Sequence, residues 1–193
     1  MADPSLGADY FEDVFAGDPD PWGLDSRPYE AEKHARTVAS LGDRRFRRGL
    51  EVGCAGGALT ARLADRCEAL VALDISRTAL DRARRRLGHR PQLVFRQAAF
   101  PHGMDLAGPF DLIVLSEVAY YWSDEDLAAA AEFVRAHLVS GGLVLLVHWT
   151  GETDYPQTGD GAVTKLWRDL EDSLTVSLDE RQPAYRLDLW RRP

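Results

Sequence analysis

Leu50-Glu51-Val52-Gly53-Cys54-Ala55-Gly56-Gly57-Ala58-Leu59-Thr60 decides how the rest of the chain is read. An apolar run ends in a glycine-rich turn, and a helix-period segment carrying Leu59 and Leu63 comes next. Glycines serve such a turn because the backbone bends sharply there and a ligand approaches with no Cβ in its way. The helix that opens after it offers unpaired N–H groups. The glycines stand at 53, 56 and 57, with Glu51 ahead of them. That spacing departs from the GxGxxG pattern of dinucleotide-binding turns and tilts away from a nicotinamide cofactor.

Outward from this turn, short apolar runs alternate with helix-period segments, the pattern of βα units that build a parallel sheet. Strands are predicted at 50–53, 69–74, 92–97, 110–116 and 143–149. Two further alternating stretches, 174–178 and 185–190, are close enough in sequence to pair antiparallel at the sheet edge. The expected fold is α/β: a Rossmann-like, doubly wound, seven-stranded, mostly parallel sheet with an antiparallel last strand. Leu59, Leu63 and Cys67 fall at helical spacing, as do Leu127, Ala131, Val134 and Leu138. Ser123 ahead of Asp124-Glu125-Asp126 reads as an N-cap with an acidic first turn, and Gly141-Gly142 as the turn into the next strand.

Residues 1–48 differ in character from the rest of the chain. Tyr10, Phe11, Val14 and Phe15 share a helical face, a Pro/Asp-rich turn spans 18–23, and a helix is predicted over 29–41. This part reads as an N-terminal helical lid on a Rossmann-like core of residues 49–193, the two making a single domain.

Composition narrows the function. The 193 residues are 45% hydrophobic and 28% charged, a mixture that folds. Lys and Arg number 23 against 31 Asp and Glu, a net charge of −8, which disfavours nucleic acid and anionic lipid as partners. No apolar run approaches the ~18 residues that span a bilayer. Met1-Ala2-Asp3-Pro4 lacks the order of a signal peptide, so a cytoplasmic location is expected. Cys54 and Cys67 stand 13 positions apart with no CxxC companion; no metal site is expected, and both read as small apolar residues.

Asp74 ends the second strand, 21 positions after Gly53, where a carboxylate accepts hydrogen bonds from the ribose hydroxyls of an adenosine. EVGCAGG at 51–57, ALDIS at 72–76 and FDLIVLSEV at 110–118, in that order, resemble the class I S-adenosylmethionine-dependent methyltransferases. DPDPWGLDSRPYEAEK at 18–33, SEVAYYW at 116–122 and HWTGETDYPQTGD at 148–160 make the chain similar to the nodulation protein S family over about residues 10–160. The resemblance implies S-adenosyl-L-methionine as cofactor, S-adenosyl-L-homocysteine as its product, and transfer to an amine, since the family's namesake methylates a de-N-acetylated chitooligosaccharide. The cofactor residues it implies are Glu51, Gly53, Cys54, Ala55, Gly57, Asp74, Ile75, Gln97, Ala98 and Ser116. One departure stands out. Many such enzymes carry an acid just after strand three, and here the chain reads Arg96-Gln97-Ala98-Ala99-Phe100. Gln97 or main-chain carbonyls would then serve the adenine amino group, with Phe100 covering the ring.

Methyl transfer from a sulfonium is an in-line displacement that needs alignment more than acid or base. An amine must be neutral to attack, so a group that takes its proton is useful. Glu117, just past strand four, and His148, near the end of strand five, stand at the carboxyl edge of the sheet, where ligands bind in open α/β folds. They are the expected catalytic residues. Tyr120 and Tyr121 offer an aromatic wall for an amine or a sugar face. Trp22 and Tyr29 from the lid, with Asp154 and Tyr155 from the long loop after strand five, complete the expected acceptor-binding set. The expectation is N-methylation of an amino sugar or similar small polar amine. O-methylation of a small molecule and non-catalytic S-adenosylmethionine binding remain open at this stage, as does the choice between monomer and dimer.

Overall fold

The computed structural model describes residues 4–102, 106 and 108–193. The reading of Met1-Ala2-Asp3 lies outside the described residues. The chain forms two compact units, Gly7–Ala99 and Phe100–Pro193, the latter taking in the N-terminal residues up to Leu6. Among the described residues, seven strands form one mixed sheet in the order β3-β2-β1-β4-β5-β7-β6.

The first unit opens with α1 (Ala8–Gly17), a 3-10 turn (Pro21–Gly23) and α2 (Pro28–Ala39). Then come β1 (Phe46–Val52), α3 (Ala58–Ala64), β2 (Cys67–Asp74), α4 (Arg77–Leu87) and β3 (Leu93–Gln97). β1 pairs with β2 and β2 with β3, all parallel, so that Leu50 lies beside Val71 and Asp74 beside Gln97. Leu50, Leu70, Ala72 and Leu73 are buried, as strands covered on both faces require. In α4, Ala79, Leu80 and Ala83 face inward, and Ser76 caps the helix by accepting the Ala79 N–H.

Two local expectations need correction here. Cys67 does not extend the helical stripe of Leu59 and Leu63. α3 stops at Ala64, and Cys67 opens β2 opposite Phe46, where it is buried. β1 also begins four residues ahead of the predicted start, because Phe46, fully buried amid an arginine run, supplies the apolar side chain that seats it.

The second unit holds β4 (Phe110–Ser116), a 3-10 turn (Ala119–Tyr121), α5 (Asp124–His137), β5 (Leu138–Trp149), α6 (Gly159–Leu170), β6 (Thr175–Arg181) and β7 (Tyr185–Arg191). β4 and β5 are parallel, and β7 runs antiparallel to both β5 and β6. The final hairpin thus lies at the edge, with β6 outermost, and the antiparallel last strand is observed. Ser123 caps α5 by accepting the Asp126 N–H, and Leu127, Ala131 and Val134 are buried. Leu138, predicted on that stripe, instead begins β5 beside Phe110. Gly141, at φ 74, lies inside the strand, where the register against β4 shifts, so Gly141-Gly142 forms an irregularity in β5 rather than a turn before it. Among the described residues, no helix is long and apolar enough to cross a membrane.

Candidate active site

The carboxyl ends of β1, β2 and β3 build a glycine-rich cradle in the first unit. After Val52 the chain turns through Gly53 at φ 74, Ala55 at φ 46 and Gly57 at φ 83. All three are left-handed, a conformation that is strained for Ala55. A Cβ on Gly57 would stand 3.1 Å from the Ala83 Cβ, so the turn needs glycine for space as well as for φ. Asp74 fastens the turn to β2: its Oδ2 accepts the Ala55 N–H and its Oδ1 the Ser76 N–H, each at 2.8 Å. The Cys54 N–H donates to Leu73 O, and the Ala98 N–H to Asp74 O. Gln97 Nε2 donates to Ile75 O at 3.1 Å. Glu51, Gly53, Cys54, Ala55, Gly57, Asp74, Ile75, Gln97 and Ala98 therefore lie together.

The electrostatics are those of a dry, acidic cradle. Burial pushes the Glu51 carboxyl up to about 7 against the pull of a Thr60 hydrogen bond, with the Asp74 charge adding to the rise. Burial likewise raises Asp74 to about 6 against the opposing pull of the Ser76 and Ala55 N–H groups. The Cys54 thiol is pushed up by burial and then by both acids, and it packs against Ala72 and Leu80 as a small apolar side chain. Glu51 Oε2 and Thr60 Oγ1 are both buried, the Thr60 hydroxyl acting on the Glu51 carboxyl. A Cβ added to Gly56 would meet only Asp25 Oδ2, at 3.6 Å. Two buried carboxyls beside an open glycine turn fit a ligand that brings hydroxyl and ammonium groups.

The N-terminal segment of this unit is fastened beside the cradle by a residue the sequence reading did not single out. Glu12 on α1 accepts hydrogen bonds from Ser76 Oγ at 2.6 Å, from the Thr78 hydroxyl and from the Thr78 N–H. These bonds hold its carboxyl below the ordinary range. Arg82 adds bonds to the carbonyls of Asp18 and Pro19. Trp22, at φ 65, sets its ring edge-on to Phe15, and Lys33 lies over the Tyr29 ring while pairing with Glu30 in a buried ion pair of 2.8 Å. Trp22 and Tyr29 remain partly exposed. The only sequence signal for the Glu12 contact is the Ser-x-Thr that opens α4; nothing in residues 8–17 marks its partner.

In the second unit, Ser116 ends β4 beside Val147. Glu117 follows at φ 56, the third left-handed residue that is not glycine. Its N–H donates to Val147 O, and its Oε2 accepts both the Tyr120 hydroxyl at 2.9 Å and the Trp149 N–H at 2.8 Å. His148 is fully buried, with Nε2 accepting the Ala119 N–H at 3.2 Å. Tyr120 and Tyr121 are buried, and Tyr155 stacks on the Tyr120 ring at 5.6 Å and meets Tyr121 edge-on at 4.7 Å. Asp154 is exposed in the same loop. Structure thus gathers Glu117, Tyr120, Tyr121, His148 and Tyr155, with the tyrosines packed on one another rather than lining an open wall. Gln157 is a further residue that the sequence did not reveal. Among the described residues, no group of His, Cys, Asp and Glu is arranged to hold a metal.

The family model of nodulation protein S (NodS) matches residues 10–147. Nodulation protein S of Rhizobium tropici is 38% identical over 128 residues, 65% of this chain and 53% of the relative. That of Sinorhizobium fredii is 38% identical over 122 residues, 63% of this chain and 55% of the relative. The chain spans about half the length of these curated relatives. Among solved structures, the N-methyltransferase NodS from Bradyrhizobium japonicum WM9 in complex with S-adenosyl-L-homocysteine is similar with a TM-score of 0.84 at 25% identity, covering 97% of this chain and 100% of that one.

Proposed function

The chain belongs to the nodulation protein S family, and from that premise we propose that it is an S-adenosylmethionine-dependent methyltransferase that N-methylates an amino sugar or a similar small polar amine. The observation that carries the reading is the cradle in the first unit: a left-handed glycine turn bonded to Asp74, with the buried carboxyl of Glu51 in the same cradle. Each Asp74 oxygen keeps a second lone pair for a ribose hydroxyl, since a carboxylate oxygen accepts more than one hydrogen bond. Glu51 and the turn 53–57 would take the amino-acid end, and Gln97 and Ala98 complete the set within this unit. S-adenosylmethionine supplies a methyl group already activated on a sulfonium. Helices α1 and α2 act as the lid, and Glu12 latches α1 to α4.

On the acceptor side, Glu117 is the group that takes a proton from an ammonium, and its carboxylate favours a cationic acceptor by charge. His148 works through the main chain. By accepting the Ala119 N–H it holds the turn that carries Tyr120, whose hydroxyl in turn orients Glu117.

The test is calorimetric titration with S-adenosylmethionine, S-adenosylhomocysteine and NAD, followed by mass analysis of products from glucosamine oligomers. Binding of the adenosyl pair alone, lost in Asp74→Ala, and a mass gain of one methyl on the amine support the reading. Tight binding of NAD, or a methyl group found on oxygen, would overturn it.

A further inference from the structure

Gln157 uses all of its polar groups. Its N–H donates to Tyr120 O at 3.1 Å, and its carbonyl accepts the Thr153 hydroxyl at 3.1 Å. Its side-chain Nε2 donates to Asp124 Oδ1 at 2.8 Å, while Oε1 accepts from Lys165 Nζ at 2.8 Å. Lys165 closes the ring by pairing with the same Asp124 oxygen at 2.5 Å. The side chain is buried although it sits in a polar loop. One residue on, Thr158 caps α6. Gly159 then passes so close to the loop's origin that an added Cβ would stand 2.1 Å from Trp149 O. Two residues earlier, Tyr155 packs on both Tyr120 and Tyr121. The loop therefore leaves β5 at Trp149 and is pinned again at Gln157, with the tyrosine between the two anchors.

The opposite side of the 3-10 turn is held independently. Leu6 N–H donates to Tyr121 O at 3.0 Å, and Ser5 Oγ accepts the Ser123 N–H at 2.7 Å. The carbonyls of two adjacent tyrosines thus serve two separate segments, and the turn itself is fixed whether or not the loop is. What Gln157 governs is the loop.

We propose that Gln157 is a positioning residue for the acceptor: through the Asp124–Gln157–Lys165 ring it fixes Tyr155 against Tyr120 and Tyr121, and so sets which acceptors are taken up. This rests on the reading that the second unit binds the acceptor. A loop with no such pin would sample many positions and lose selectivity, since immobilising it would cost binding energy each time. A pinned loop presents the aromatic face ready-made.

The experiment compares the wild type, Gln157→Leu, Gln157→Glu and the pair Gln157→Glu with Asp124→Asn, each loaded with S-adenosylhomocysteine. In Gln157→Leu, amides of residues 150–157 exchange at least about tenfold faster while those of β5 and α5 do not change. Gln157→Glu alone sets a carboxylate against Asp124 and behaves the same way. Adding Asp124→Asn restores a donor facing an acceptor, and protection returns. With glucosamine oligomers as probe, KM rises about tenfold or more in the two single variants, kcat stays within about threefold, and S-adenosylhomocysteine affinity is unchanged. Unaltered exchange in Gln157→Leu, or no recovery in the pair, overturns the proposal. If the wild type methylates none of the oligomers, the functional reading fails instead, and the exchange data still decide whether Gln157 pins the loop.

Discussion

Glu117 is tied to Trp149 by a 2.8 Å hydrogen bond from the Trp149 main-chain N–H to its Oε2. The carboxylate at the end of β4 therefore terminates β5, and it does so from a left-handed backbone that costs a non-glycine residue roughly 1–2 kcal/mol. Hydrogen bonds to a charged acceptor contribute about 1.5–3 kcal/mol each, enough to hold that conformation. The same oxygen accepts the Tyr120 hydroxyl, so the orientation of Glu117 is overdetermined while its charge stays beside the aromatic cluster. Strain kept at such a cost marks a position whose side chain is needed.

Replacing Glu117 by Gln keeps the shape and an acceptor oxygen but removes the charge and the basicity. Turnover is expected to fall about 100-fold or more, with the dissociation constant for S-adenosylhomocysteine within about twofold of wild type. Single-turnover assays alongside calorimetry check this. Equal turnover in the two proteins would move proton removal to bulk water.

His148 is expected to matter first for stability. His148→Ala strands the buried Ala119 N–H and opens a cavity, a combination worth about 2–4 kcal/mol in urea denaturation. His148→Asn offers a replacement acceptor and recovers part of the loss. Turnover should follow the recovery of the turn, because the ring acts through Ala119 and not on the acceptor. Full stability in His148→Ala with lost turnover would instead make the imidazole a direct participant.

Periodicity made the central strands legible because β4 and β5 are covered on both faces and read as unbroken apolar runs over 112–115 and 143–147, while the edge hairpin showed itself by alternation. The cofactor half was legible for a related reason: glycine and a strand-ending acid are local requirements of a turn, so Gly53, Gly57 and Asp74 announce themselves in sequence. The contacts of Glu12 and Gln157 are not local. Glu12 meets Ser76 from 64 positions away and Gln157 meets Asp124 from 33, and neither partner's spacing encodes the other. Cys67 and Leu138 misled because an apolar residue at helical spacing fits a strand start equally well, and the helix ends were set by Asp65 and by β5 pairing. Tyr120 and Tyr121 were found by type, but only packing shows that their ring faces are taken up by Tyr155.

The Glu12 latch supplies a test of the lid that is separate from chemistry. Glu12→Ala leaves Ser76 capping α4 on its own, so the loss of global stability should be near ~1 kcal/mol. Detachment of α1 is expected to be local. Limited proteolysis should cut ahead of β1 at least about fivefold faster, and the added S-adenosylhomocysteine needed to suppress cutting should rise. Cutting that stays as slow as in the wild type would show that the aromatic contacts of Phe15 and Trp22 hold the segment without the carboxylate.

Glu51 gives a pH signature of the cradle. Its carboxyl ordinarily titrates at 4.5 and is raised by burial to about 7 in the folded chain, so the native state binds this proton more tightly than the unfolded one. The stability it contributes is fully present below pH 4.5, declines as pH rises from there to 7, and is lost above 7. A shift of this size corresponds to roughly 3–4 kcal/mol. Asp74, raised from 3.8 to about 6, acts in the same direction in the lower window of pH 3.8–6. Glu51→Gln stays neutral throughout, so its stability relative to the wild type should climb between pH 5 and 7 and level off by pH 8. Urea midpoints measured at pH 5, 6, 7 and 8 give the curve. A difference between the two proteins that does not vary with pH would mean that Glu51 is ionised in the folded chain at all these values, with a counter-charge or water reaching it behind the glycine turn.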